Sequence, residues 1–211
     1  MSSIISGANP RLTLPLETLP RQQFQSFGVE SALALKLTVI PQRDFCPRGL
    51  CYWNVAAMVR EHGGGMVLGW QCLWWPSRLI IAMHHAVWRR PTGALLDITQ
   101  KDTGEQSSTT SFCEDAKDSV DLQWPVLLPS KYINLQNDKS IDVVVAALQE
   151  QVEAAREAAA YVKAKRGKFV PGEGLKLPSG SMPEKIKVRI RRANLRKENA
   201  LKKCLNSESL R

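Results

Sequence analysis

The chain of 211 residues contains no run of about eighteen apolar residues, so no membrane-crossing helix is expected. Its first twenty residues, MSSIISGANPRLTLPLETLP, have neither a basic stretch nor the apolar core of a secretory leader, and a cytoplasmic location is expected. The five cysteines (Cys46, Cys51, Cys72, Cys113 and Cys204) are odd in number, irregularly spaced and form no Cys-x-x-Cys pair. This argues against a zinc finger or ribbon. Without a leader, free thiols are expected over a Cys46–Cys51 bridge. No internal repeat is present. Histidine is scarce: of the three, His84 and His85 are adjacent, and His62 stands alone.

Charge is plentiful and unevenly placed. The net charge is +9, with 29 Lys+Arg against 20 Asp+Glu. Residues 162–211 hold 15 Lys+Arg and 4 Asp+Glu, a balance of +11; residues 1–161 hold the other 14 and 16, a balance of −2. A near-neutral body therefore precedes a basic tail. With 44% hydrophobic residues, the body is large enough for one compact core.

The pattern predicts an α+β fold: a cysteine-bearing helix packed on an antiparallel sheet, followed by C-terminal helices. Residues 1–42 read as a lead-in, with a short helix around 20–33 and a strand at about 34–40. The α+β core is expected over 43–135. Within it, LCYWNVAAMVREHGGG gives a helix over about 51–62, with apolar residues at helical spacing and a triple glycine as its stop. Runs at 66–75, 78–90 and 94–99, broken by Pro76-Ser77 and Pro91-Thr92-Gly93, predict a three-stranded meander. Residues 100–119 read as a polar surface loop. Residues 138–166 predict an amphipathic helix, with Ile141, Val144, Val145, Leu148, Val152, Ala155 and Ala159 as its stripe. Residues 167–183 read as a Gly/Pro/Ser linker, and 184–211 as a basic helix or tail whose apolar residues spread around it.

The order of reactive side chains is the informative feature. Cys51 starts a helix, a histidine follows in a strand 34 residues later, and Asp97 lies in the next strand after a further 12. A helix N-terminus favours thiolate. A histidine in reach moves the proton, and a carboxylate fixes the imidazole tautomer. Each residue also has an ordinary reading: Cys51 as a small core residue, the histidines as satisfied strand residues, Asp97 as a turn cap. Asp97 lies in LLDIT, an apolar setting in which a lone carboxylate is costly. His84 and His85 point to opposite faces of their strand, so at most one faces the site.

Residues 83–99, MHHAVWRRPTGALLDIT, resemble the His-Ala-Trp … Gly … Asp-Pro-Thr stretch of transglutaminase-like proteins, a branch of the papain-like thiol hydrolases. The resemblance spans about residues 43–100. The tryptophan follows His85 by three positions instead of two, and Ile98 stands where the family often has proline. The resemblance implies Cys51 as nucleophile, His85 as base and Asp97 as orienting acid. It also implies Gln42 as an oxyanion donor beside the Cys51 N–H. Cys46, before Pro47, is the second candidate nucleophile. The implied activity is a cysteine-dependent hydrolase or acyl transferase acting on an amide or isopeptide bond of a peptide substrate, with no cofactor.

Trp53, Trp70 and Trp88 fit either hairpin packing or an aromatic wall for substrate. Cys51, Cys72, His84, His85 and Asp97 include metal-ligand types, but no pair has short ligand spacing and no metal is expected. In the tail, Lys187, Arg189, Arg191, Arg192 and Arg196 suit nucleic acid or an acidic protein. A non-catalytic binding protein that docks through this tail is the alternative function.

Overall fold

The computed structural model describes residues 14–19, 35–39, 49–99, 109–115 and 119–206. The helix expected over 20–33, Gln42 and Cys46 lie outside them. The described residues form an α+β fold of three helices and nine strands.

Helix α1 (Cys51–His62) has the expected limits. Arg60 and His62 in its last turn complement the negative end of the helix dipole. The chain then turns through Gly63 and Gly64, both at positive φ. A Cβ on Gly64 would lie 2.1 Å from the Arg89 carbonyl oxygen, so only glycine lets the chain leave the helix this close to the sheet. Val55 and Met58 bury one face of α1 against Ala86, Trp88, Leu96 and Ile98. Each such burial is worth about 1.5–3 kcal/mol.

That sheet is built around a long hairpin. Strands β3 (Gly65–Trp75) and β4 (Leu79–Arg89) pair antiparallel along their full length. Strand β5 (Leu95–Asp97) pairs antiparallel with β4, as a meander requires, and also lies parallel to β2 (Leu35–Val39). The expected loop over 100–119 is corrected. Thr109–Glu114 is strand β6, which pairs antiparallel with both β3 and β2. The run TTSFC is β-branched and apolar enough to bury itself among polar neighbours. With β6 in place the sheet curls until β3, β6, β2, β5 and β4 close on one another, and Val67, Val87 and Phe112 fill the inside. Two short strands extend the hairpin tip: β1 (Glu17–Thr18) on β3 and β7 (Lys131–Asn134) on β4.

Helix α2 (Lys139–Ala164) starts at Asp138, whose carboxylate accepts the Ser140 N–H. Its buried stripe is Ile141, Val144, Ala147, Ala154, Ala158 and Val162, which corrects the expected Ala155 and Ala159. The stripe turns because two surfaces claim the helix: the sheet at Leu79 and Ile81, and helix α3 (Glu184–Asn206). In α3, Ile186, Ala193, Ala200, Leu201 and Cys204 are buried on one side, while Leu195 is 58% exposed, so its apolar residues are only partly gathered. Alanines on both helices allow close approach, and Gln151 bonds Asn194 across the pair at 2.8 Å. Residues 167–183 contain an antiparallel hairpin, β8 (Lys168–Val170) with β9 (Gly174–Lys176), whose Phe169 packs on Trp53 of α1.

Candidate active site

Two neighbouring strands and one helix end bring three groups together. His85 lies on β4 and Asp97 at the end of β5, and the antiparallel pairing of these strands sets the side chains beside each other. His85 Nε2 is 3.1 Å from Asp97 Oδ1. Cys51, the first residue of α1, lies within hydrogen-bonding reach of the same ring. The residue opposite His85 on β3 is Gly69, where a Cβ would lie 2.1 Å from the Cys113 carbonyl oxygen. A side chain there would push β6 away from the ring of strands that holds the site.

Asp97 is 1% exposed and fully occupied. Its Oδ1 also accepts the Thr99 N–H at 3.1 Å, and its Oδ2 accepts the Thr110 hydroxyl at 2.6 Å. Burial pushes the carboxyl up, but the His85 charge and these hydrogen bonds outweigh it and hold Asp97 below the ordinary carboxylate value. For His85, burial pushes the imidazole down. The Asp97 charge and hydrogen bond, with a smaller contribution from Cys51, overcome this and raise it to about 10. Both shifts favour the imidazolium–carboxylate form of the pair.

The first turn of α1 adds a positive end. Its N–H groups have no partner within the helix, Leu50 supplies no side-chain cap, and no acidic residue stands in the first turn. The end of the helix that carries Cys51 is thus set to favour negative charge.

His84 points away from His85. Its Nδ1 meets the Tyr52 hydroxyl at 2.7 Å, and its ring packs edge-on to Trp70. The tryptophans are held by structural contacts. The Trp53 indole N–H donates to the Leu122 carbonyl at 3.0 Å. That of Trp70 donates to Asp115 at 3.0 Å, with the Lys131 ammonium 4.1 Å above its ring. That of Trp88 donates to the Gly63 carbonyl at 3.0 Å, at the far end of α1 from Cys51. Cys72 and Cys113 hydrogen-bond to each other, which raises the first thiol and lowers the second. Among the described residues, no group of three or more His, Cys, Asp or Glu side chains is placed to hold a metal ion.

Thr110 and Thr99 complete the site, and neither is among the residues that the sequence singles out. Thr99 lay in view, two residues beyond Asp97. Thr110 was hidden in a stretch whose polarity masked a strand; the only signal was the β-branched pair Thr109-Thr110 ahead of Ser111 and Phe112.

Among the described residues, no helix is long and apolar enough to cross a membrane. No protein-family model matches the chain, and it has no significant match among curated proteins or solved structures.

Proposed function

We propose that the protein is a cysteine-dependent hydrolase or acyl transferase with a papain-like, transglutaminase-like core, acting on an amide or isopeptide bond of a peptide substrate. The observation that carries this reading is the buried His85, bonded through Nε2 to Asp97 and in contact with Cys51 at the start of α1.

The chemistry follows from these positions. A raised imidazole favours a thiolate–imidazolium pair over a neutral thiol and imidazole. The Cys51 sulfur attacks the carbonyl carbon and forms a C–S bond. The oxyanion draws on the Cys51 N–H at the helix end; Gln42, the expected second donor, lies outside the described residues. The C–N bond then breaks as His85 gives its proton to the departing amine, leaving a thioester. Water, or an acceptor amine, gives a proton to His85 and attacks the thioester. The acyl group leaves as acid or new amide, and the thiolate–imidazolium pair is restored. Asp97 holds the ring in register throughout.

The test is alkylation with iodoacetamide, read by peptide mass spectrometry. Native Cys51 should label at pH 6 at least tenfold faster than the same cysteine in the urea-unfolded chain, because thiolate is the reacting form. His85→Ala should remove the difference. Equal rates in folded and unfolded protein would overturn the reading.

A second reading concerns α3 and is independent of the first. Lys185, Arg192 and Lys203 are exposed and have no carboxylate partner among the described residues. Seven and eleven residues apart, they share one face of the helix. Such a row suits the phosphate backbone of a nucleic acid.

A further inference from the structure

Adjacent histidines on one strand leave the second without a place in the proposed chemistry. His84 faces the opposite side of β4, where Tyr52 of α1 reaches it twice. The phenolic oxygen lies 2.7 Å from His84 Nδ1, and the hydroxyl lies 3.1 Å from the His84 carbonyl oxygen, to which it donates. Both contacts are satisfied together when Nδ1–H donates to the phenolic oxygen while the phenol O–H donates to the carbonyl. The two rings are also stacked, with centroids 5.8 Å apart and planes 18° apart.

The position of this tie in the chain gives it meaning. Tyr52 follows Cys51, and His84 precedes His85. One covalent step therefore separates each end of the tie from one member of the thiol–imidazole pair. The apolar contacts of Val55 and Met58 anchor the middle of α1, and Trp88 grips the chain just beyond its C-terminal end through the Gly63 carbonyl. The N-terminal end has no side-chain cap from Leu50. A shift of 1 Å there would change the sulfur–nitrogen distance by nearly as much, and reactive pairs are sensitive to errors of that size.

We infer that Tyr52 and His84 are positioning residues that lock the first turn of α1 to β4 and thereby set Cys51 at hydrogen-bonding distance from His85. The inference rests on the thiol-hydrolase reading above. The tie passes through no reacting atom, so its loss should loosen the pair without abolishing the fold. Two variants separate its parts. Tyr52→Phe keeps the ring and its stacking but loses both hydrogen bonds. His84→Phe keeps the stacking and the carbonyl contact and loses only the imidazole contact.

The experiment compares the pH dependence of Cys51 alkylation by iodoacetamide in the full-length protein, its Tyr52→Phe and His84→Phe variants, and His85→Ala. The midpoint of the Tyr52→Phe profile should move up by about one pH unit, so that labelling at pH 6 falls about tenfold while rates at high pH converge. His84→Phe should fall between the wild type and Tyr52→Phe. A role confined to stability would lower the melting temperature and leave the profile in place. Profiles of both variants that superimpose on the wild type, with His85→Ala still displaced, overturn the inference and leave the hydrolase reading standing. A wild-type profile indifferent to His85→Ala overturns both. If Tyr52→Phe does not fold, the His84→Phe profile alone decides, since it too must shift.

Discussion

The His85 ring and the Asp97 carboxylate meet at 3.1 Å with 7% and 2% of their side-chain surfaces exposed. A buried ion pair of this kind adds little over a well-packed apolar pair, but breaking it strands a charge. His85→Ala should therefore cost about 3–5 kcal/mol of folding stability. The double variant His85→Ala/Asp97→Ala should be less destabilised than the sum of the two singles, because it strands nothing. Urea denaturation of the four proteins measures this directly. Strict additivity would mean that the two groups do not act as a pair.

The pair also sets a pH dependence with a definite sign. His85 is raised in the folded protein to about 10, from about 6.5 in the unfolded chain. Its contribution is complete below about pH 6.5 and declines as pH rises toward 10. Asp97 is lowered, so its contribution is complete above the ordinary carboxylate value and is lost as pH falls through its lower folded value. The acidic side is shared with Asp138, which is held at about 2 by Ser140 and Arg78. The alkaline side is shared with the Cys72 and Cys113 thiols and with Tyr132, which burial raises, so comparison with Asp97→Asn is what isolates the pair. Stability measured between pH 6.5 and 10 should fall in the wild type and fall much less in Asp97→Asn. Parallel curves would show that His85 is not held protonated by Asp97.

Thr110 gives a third prediction. Its hydroxyl donates to Asp97 Oδ2 at 2.6 Å from a fully buried position. Thr110→Val keeps the shape and leaves that oxygen without its donor, which should cost about 1–3 kcal/mol. With one donor gone, Asp97 holds its negative charge less firmly and His85 its proton less firmly. Cys51 alkylation at pH 6 should slow, whereas Thr109→Val, on the neighbouring strand position, should change it little. Equal effects of the two substitutions would place Thr110 outside the site.

The parts of this fold that were readable had local causes. Helix α1 was bounded by its helical spacing and by the glycines after His62, and the hairpin β3–β4 by Pro76-Ser77 between two apolar runs. Cys51, His85 and Asp97 stood out because their order matched a chemistry. Strand β6 was not readable, because its pairing partners, β2 and β3, lie far away in sequence and only closure of the sheet reveals that Thr110 and Phe112 face inward. The buried side of α3 is hard to read for a related reason. Alanine and cysteine mark its buried face as well as isoleucine and leucine, and small residues read as neutral until a partner helix lies against them. The tie between Tyr52 and His84 was likewise hidden: each residue looked ordinary alone.

The C-terminal helix supplies the last prediction. Arg189 and Arg196 are turned toward α2, where they pair with Glu157 and Glu150, and Lys187 and Arg191 pair with Glu184. These four sequence-predicted contacts are partly neutralised. Lys185, Arg192 and Lys203 keep their charge for a partner, on a helix fixed to the body of the protein. Binding to a fluorescent mixed-sequence DNA duplex should weaken steeply with salt. Replacing these three residues with serine should lower the log–log salt slope by about 0.9 for each phosphate contact removed. Replacing Arg189 and Arg196 should change the slope less, since their charge is already matched. Binding that stays unchanged in the triple variant would remove this face from nucleic-acid recognition, and equal affinity for polyglutamate would point to an acidic protein as its partner.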